Sequence, residues 1–190
     1  MMDWWWSFRF LGRRPGYAEV REFLLAHLPQ GGVCAEIGVF KGDFSEAILH
    51  VNRPRKLHLI DPWYPGAADL PNLDADATHA SICERFASEI ATDTVVMHRE
   101  PSSAAAAHFL DATFDWIYID GDHHYDTVRQ DLDLYLPKVK AGGYIVCDDY
   151  HFAGNFDDGV TRAVDEFIAR GRCRKVFKRR SQFVMRKPRR

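Results

Sequence analysis

Four short apolar runs in this chain each end in a carboxylate, and that pattern restricts the fold more than any other feature. The runs cover 33–37, 56–60, 116–119 and 144–147, and the acids are Glu36, Asp61, Asp120 and the pair Asp148-Asp149. Runs this short and this apolar are strands buried on both faces, as in a parallel sheet. The segments between them carry apolar residues at helical spacing. Val20, Phe23, Leu24 and Leu28 mark a helix over 17–28, and Val128, Leu132 and Leu136 mark one over 125–136. Further helices are expected from residue 43 or 45 to 49 and over 79–90, 102–110 and 160–170, with a further strand over 94–98. Residues 137–143 read as a turn, and 174–178 with 182–186 as a closing antiparallel hairpin. Strands alternating with helices give a doubly wound, mostly parallel α/β sheet, here of seven strands, in which ligands bind beyond the carboxyl ends of the strands.

One domain accounts for 190 residues. Residues 1–16, with Trp4, Trp5, Trp6, Phe8 and Phe10, form an aromatic N-terminal segment, and 17–190 form the domain. The stretch 63–78 is rich in Pro, Asp, Ala and Gly and reads as an irregular insertion, a candidate lid. A net charge of −2 gives no global attraction to nucleic acid or to an acidic membrane, although the last 21 residues hold eleven Lys or Arg and no acid. Cys34, Cys83, Cys147 and Cys173 are dispersed, and two lie in apolar runs. That usage points to a reducing cytoplasm rather than a disulfide framework or a zinc site. No apolar run is long enough to span a bilayer.

Acids that repeatedly fall on one rim of a sheet must be solvated, paired or used. The loop Glu36-Ile37-Gly38-Val39-Phe40-Lys41-Gly42 has a glycine near each end, which permits a sharp turn and close approach of a ligand. It lacks the Gly-x-Gly-x-x-Gly dinucleotide fingerprint and the Gly-Lys-Ser/Thr of a phosphate loop. Asp61, on the next strand, stands where an acid can accept both hydroxyls of a ribose; capping the turn before Pro62 is its alternative role. Neighbouring strands lie about 4.8 Å apart, so Asp120 and Asp148-Asp149 converge if the strands that they end are neighbours. Carboxylates that close repel unless a cation neutralises them, and an all-oxygen set favours Mg²⁺ or another hard divalent ion. His123, His124 and His151 crowd the same rim, and an imidazole is a natural acceptor for a hydroxyl proton.

With these residues in view, the chain resembles class I S-adenosylmethionine-dependent methyltransferases, and among them the macrocin-type O-methyltransferase group, related to proteins named cephalosporin hydroxylases. The resemblance is carried by Ala35-Glu36-Ile37-Gly38-Val39-Phe40-Lys41-Gly42, by Leu59-Ile60-Asp61-Pro62-Trp63, by residues 114–125 with Asp120-Gly121-Asp122-His123-His124-Tyr125, and by residues 136–150 with Asp148-Asp149-Tyr150. It implies a Rossmann-like methyltransferase fold, whose strand order makes the strands ending in Asp120 and in Asp148-Asp149 neighbours. It also implies that Glu36, Gly38 and Gly42 line the methionine part of the cofactor, that Asp61 holds the ribose, and that Ser102 lies on the adenine side. Trp63 would stack near the adenine or anchor its loop. Asp120 would touch both the cofactor and a metal held with Asp148 and Asp149. His123 matches the group's Asp-Gly-x-His-x-Tyr pattern and, with Asp120, is the catalytic candidate. The expected reaction is methylation of a hydroxyl on a small molecule with help from a divalent metal, in a chain that is compatible with a homo-oligomer. The competing expectation is a catalytically silent S-adenosylmethionine-binding module that acts through a partner.

Overall fold

The computed structural model describes residues 14–64, 74–151 and 157–189. Most of the aromatic N-terminal segment and most of the candidate lid therefore lie outside the described residues. Seven strands form one sheet in the order β3-β2-β1-β4-β5-β7-β6. They are β1 (Val33–Ile37), β2 (Lys56–Ile60), β3 (Val95–His98), β4 (Phe114–Ile119), β5 (Val139–Cys147), β6 (Arg174–Arg179) and β7 (Gln182–Arg186). The first five run parallel to one another, and β7 runs antiparallel to both β5 and β6. The helices are α1 (Tyr17–His27), α2 (Asp43–Ala47), α3 (Ala75–Arg85), α4 (Ala87–Ala91), α5 (Ser102–Ala105), α6 (Tyr125–Tyr135) and α7 (Gly159–Ala169). None of the described helices is long and apolar enough to cross a membrane. All four cysteines are free.

Side chains that alternate along the central strands feed two apolar layers. Ala35, Ile37, Ile117, Ile119, Ile145 and Cys147 pack with Val128, Leu132, Val160, Val164 and Phe167 of α6 and α7. Cys34, Trp116, Tyr118, Tyr144 and Val146 pack on the other face with Val20 and Leu24 of α1, Phe44 of α2 and Ile82 of α3. This is the period of two expected of a sheet covered on both sides.

Two elements differ from the sequence reading. The strand expected over 144–147 starts five residues earlier, at Val139, because the register to β4 shifts between Phe114 and Trp116 and absorbs the glycines. The left-handed Gly142 donates its N–H to the carbonyls of Lys187 and Pro188, so residues read as a turn are paired instead. The helix expected over 79–90 is two helices, starting at Ala75 behind the side-chain cap of Asp74 and broken at Phe86.

The order of the strands sets the site. From β1 the chain moves outward through β2 and β3, and then returns to place β4 on the other side of β1. A crevice opens at such a reversal, past the carboxyl ends of the strands. Ile117 lies at the centre of this arrangement, wholly buried between Ala35 and Ile145. Truncating Ile117→Ala is expected to cost about 2–5 kcal/mol, read as a lower midpoint in chemical denaturation with an unchanged slope.

Candidate active site

Strands β1, β4 and β5 pair in a common register: Ile37 lies beside Ile119, and Ile119 beside Cys147. The ladder extends one step beyond the strands, since Asp120 N donates to Ile37 O at 2.8 Å and Asp148 N to Ile119 O at 3.0 Å. Asp120 and Asp148 thus stand level. By alternation they project to the same face as Glu36 and Tyr118, the face that α1 covers.

Arg21 of α1 occupies that meeting place. Its Nη2 lies 2.7 Å from Asp120 Oδ2 and also bonds Asp148 Oδ2. Its guanidinium carbon sits 4.5 Å from the centre of the Tyr17 ring and 4.4 Å from that of Phe44. Asp148 is 2% exposed. Beyond Arg21 it meets the hydroxyls of Tyr17, Tyr118 (2.8 Å) and Ser181 (2.7 Å), the side-chain amide of Gln182 and the backbone N–H of Asp149 (2.7 Å). Burial alone would raise its pKa, but Arg21 and these donors overcome that and hold it at about 2.

Asp149 turns the other way. Its backbone is left-handed, with φ of 52°, and its carboxylate lies 3.1 Å from His123 Nε2, which is 4.0 Å from Asp120 Oδ1. The Asp120 and Asp149 carboxylates beside it push His123 up to about 10, so it is an imidazolium at neutral pH. Burial pushes the Asp120 carboxyl above its ordinary value. Among the described residues, Asp120, His123 and Asp149 bring one ligand atom each to within 4.8 Å of one another. Asp148, which the sequence reading groups with Asp120 and Asp149, is not in that set. Two consecutive residues at a strand end face opposite sides, and here one is spent on α1 while the other faces His123.

The remaining candidates surround this centre. Gly38, with φ of 88°, packs so closely on β4 that a Cβ there would lie 2.1 Å from the carbonyl oxygen of Asp120. Its close approach is therefore to protein backbone, and it brings the β1 loop against Asp120. Gly42, also left-handed, ends that loop at the start of α2. Asp61 accepts from Val39 N (2.9 Å) and Phe40 N (3.0 Å) on one oxygen and from Trp63 N (2.7 Å) on the other, so it fixes both loops at the β1–β2 edge. Trp63 is buried and donates its indole N–H to Phe40 O at 3.0 Å, the loop-anchor role. Phe40 itself is exposed at the rim with a left-handed backbone. Ser102 gives its hydroxyl to Asp131 at 2.6 Å, between α5 and α6. Of the other rim histidines, His124 pairs with Asp122, and His151 N donates to Thr161 Oγ1.

Glu36 is 1% exposed and accepts from Ser45 Oγ at 2.5 Å; burial raises its pKa to about 8. Sequence reasoning missed Arg21 and Tyr17. The available signal was the stripe Tyr17, Arg21, Leu24, Leu28, spaced i, i+4, i+7, i+11, which sets a charge in the inward face of a helix.

A mostly parallel sheet of this order, with its seventh strand antiparallel, a glycine loop after β1 and acids at the tips of β2 and β4, is that of a class I methyltransferase. A family model described as a methyltransferase domain matches residues 35–150, and the chain belongs to that family. It is 56% identical over 139 residues to an uncharacterized protein of Acanthamoeba polyphaga mimivirus, a match covering 70% of this chain and 58% of that protein. The chain thus spans less than two thirds of that relative. The fold is shared with the O-methyltransferase TomG of Streptomyces achromogenes, involved in tomaymycin synthesis and solved in complex with SAM. That match has a TM-score of 0.62 and 20% identity, over 94% of this chain and 83% of TomG. It is also shared with the 1,6-didemethyltoxoflavin-N1-methyltransferase of Burkholderia thailandensis, solved with S-adenosylhomocysteine: TM-score 0.61, 16% identity, 88% of this chain and 76% of the other.

The raised Glu36 carboxyl has a measurable consequence. The folded chain holds a proton that the unfolded chain releases near pH 4.5, so the stability due to this group is full below that pH and declines as pH rises to about 8. Glu36→Gln is expected to remove this decline, so that the stability difference between variant and wild type shifts in the variant's favour from pH 5 to 8. Denaturant titrations across about pH 5–9 would show it, and parallel curves would refute it.

Proposed function

We propose that the chain transfers the methyl group of S-adenosylmethionine to a hydroxyl group of a small molecule. The observation that carries this reading is Asp120. It is a partly buried carboxylate of raised pKa at the β4 tip, against the Gly38 loop on one side and 4.0 Å from His123 on the other. A sulfonium methyl is electrophilic without further activation, so the protein's task is to align an oxygen behind it and accept a proton. The C–S bond breaks as the O–C bond forms, leaving S-adenosylhomocysteine and an ether. His123 already carries its proton at neutral pH, so Asp120 is the acceptor, and its raised pKa makes it a better base than an ordinary carboxylate. Proton and imidazolium then share the Asp120–His123–Asp149 cluster, which stays close to neutral. The buried Glu36 and the Gly38–Gly42 loop are assigned to the methionine end of the donor, Asp61 to its ribose and Ser102 to the adenine side. Asp61 already accepts three backbone N–H groups, two on one oxygen and one on the other, so about one lone pair, on the second oxygen, is left for a ribose hydroxyl.

The divalent cation belongs to the same proposal with a different set of holders. Asp120, His123 and Asp149 would hold it, His123 only after giving up its proton to solvent, and when bound it would supply a Lewis acid that lowers the pKa of the substrate hydroxyl. One nitrogen with two carboxylates suits Mn²⁺ or Fe²⁺ as well as Mg²⁺.

Calorimetric titration with S-adenosylhomocysteine, with and without chelator, tests the donor site. Transfer of labelled methyl from S-adenosylmethionine to a panel of hydroxyl compounds tests the reaction. Asp120→Asn is expected to lower turnover by about 10²–10⁴-fold, the usual worth of a positioned base. Donor binding with no transfer to any acceptor would replace the enzyme by a binding module, and no binding at all would remove the donor.

A further inference from the structure

We propose that Arg21 is the resident cation of the Asp120–Asp148 pair, standing where two strand-tip acids would otherwise share a metal ion, so that Asp148 takes no part in cation binding. The proposal rests on the reading above only in taking this rim as the reaction site.

Asp148 is surrounded by Arg21, Tyr17, Ser181, Gln182, the N–H of Asp149 and the Tyr118 hydroxyl, whose single proton is shared with Gln182 Oε1, so its about four lone-pair directions are filled. A metal bond at Asp148 would have to displace several of them from a residue that is 2% exposed. The guanidinium suits the place better than a hydrated ion. It is weakly hydrated, it stacks on aromatic faces, and here Tyr17 and Phe44 flank it while Tyr118 lies 5.5 Å away. Its attachment to α1 removes the entropy cost of recruiting an ion from solution. The arrangement is also costly, since Arg21 Nε is buried without an acceptor among the described residues. A side chain that spends one nitrogen on two carboxylates and leaves another unspent is held there by charge.

Docking of α1 thereby completes the site. Tyr17 and Arg21, one turn apart, close on Asp148 together, and Asp120 is left with one oxygen toward Arg21 and the other toward His123. Arg21 is a positioning residue in this account, because it sets the orientation and charge of Asp120.

Titration of the full chain with Mn²⁺, followed by electron paramagnetic resonance, tests this in wild type, Asp148→Asn, Arg21→Met and the double variant. Asp148→Asn is expected to titrate as wild type does, whether that is binding or none. Arg21→Met is expected to gain about tenfold or more in Mn²⁺ affinity, because the two acids lose the cation that neutralises them while the other donors of Asp148 stay in place, and the double variant to lose most of that gain, because one of the two negative charges is removed with it. A defect in folding alone does not produce a gain that depends on Asp148. The proposal is overturned by a loss of Mn²⁺ affinity in Asp148→Asn, or by a folded Arg21→Met chain that titrates like wild type. Should Arg21→Met fail to fold, Arg21→Gln, which also removes the charge but keeps a polar side chain, takes its place with the same expected gain and the same overturning result. S-adenosylhomocysteine titration of the wild type reports separately on the donor reading, so the two failures are distinguishable.

Discussion

The common register of β1, β4 and β5 is the constraint on which the site depends. Because Ile37, Ile119 and Cys147 lie side by side, the residues that follow them emerge at one height, and the hydrogen-bond ladder carries that alignment to Asp120 and Asp148. Shifting one strand by a single residue would send its acid to the opposite face. The two apolar layers hold the register, since each strand must give alternate side chains to α6 and α7 on one side and to α1 and α2 on the other.

Once the acids are level, electrostatics determines what surrounds them. Asp120, Asp148 and Asp149 are three potential anions, and Arg21 and His123 bring two cations. Burial keeps Glu36 close to neutral up to a pH of about 8. The rim is thus close to charge balance from its own residues. Arg21 and its other donors hold Asp148 ionised, whereas desolvation raises the Asp120 carboxyl. Asp148 is enclosed by donors from α1 and the closing hairpin and Asp120 is left facing His123, although both end strands in the same way.

Much of the fold could be read from the chain. The apolar runs, the helical stripes in α1 and α6, and the closing hairpin follow from the period of the residues. Where reading and structure differ, the cause is a contact distant in sequence. Gly142 becomes part of β5 because Lys187 and Pro188 offer it carbonyls. Gly38 is required by the Asp120 carbonyl, 82 positions along the chain, as much as by any ligand. The site is partly legible too: the sequence offers Asp120, His123 and Asp149 as candidates, and the structure brings one ligand atom of each within 4.8 Å of the others. That Asp148 turns to Arg21 while Asp149 turns to His123 is not legible, because adjacency in sequence says nothing about which of two neighbours faces inward.

Local sequence by itself determined the strands, the helices and the carboxylates that end the strands, because hydrophobic period and turn chemistry act over a few residues. Tertiary structure alone decided which acids meet and what neutralises them. Arg21 lies 99 residues from Asp120 and 127 from Asp148, and no local rule links them. Only the docking of α1 on the face shared by Glu36, Tyr118, Asp120 and Asp148 brings that charge to the strand tips, because a long-range Coulomb contact exists only once the sheet has set the distance.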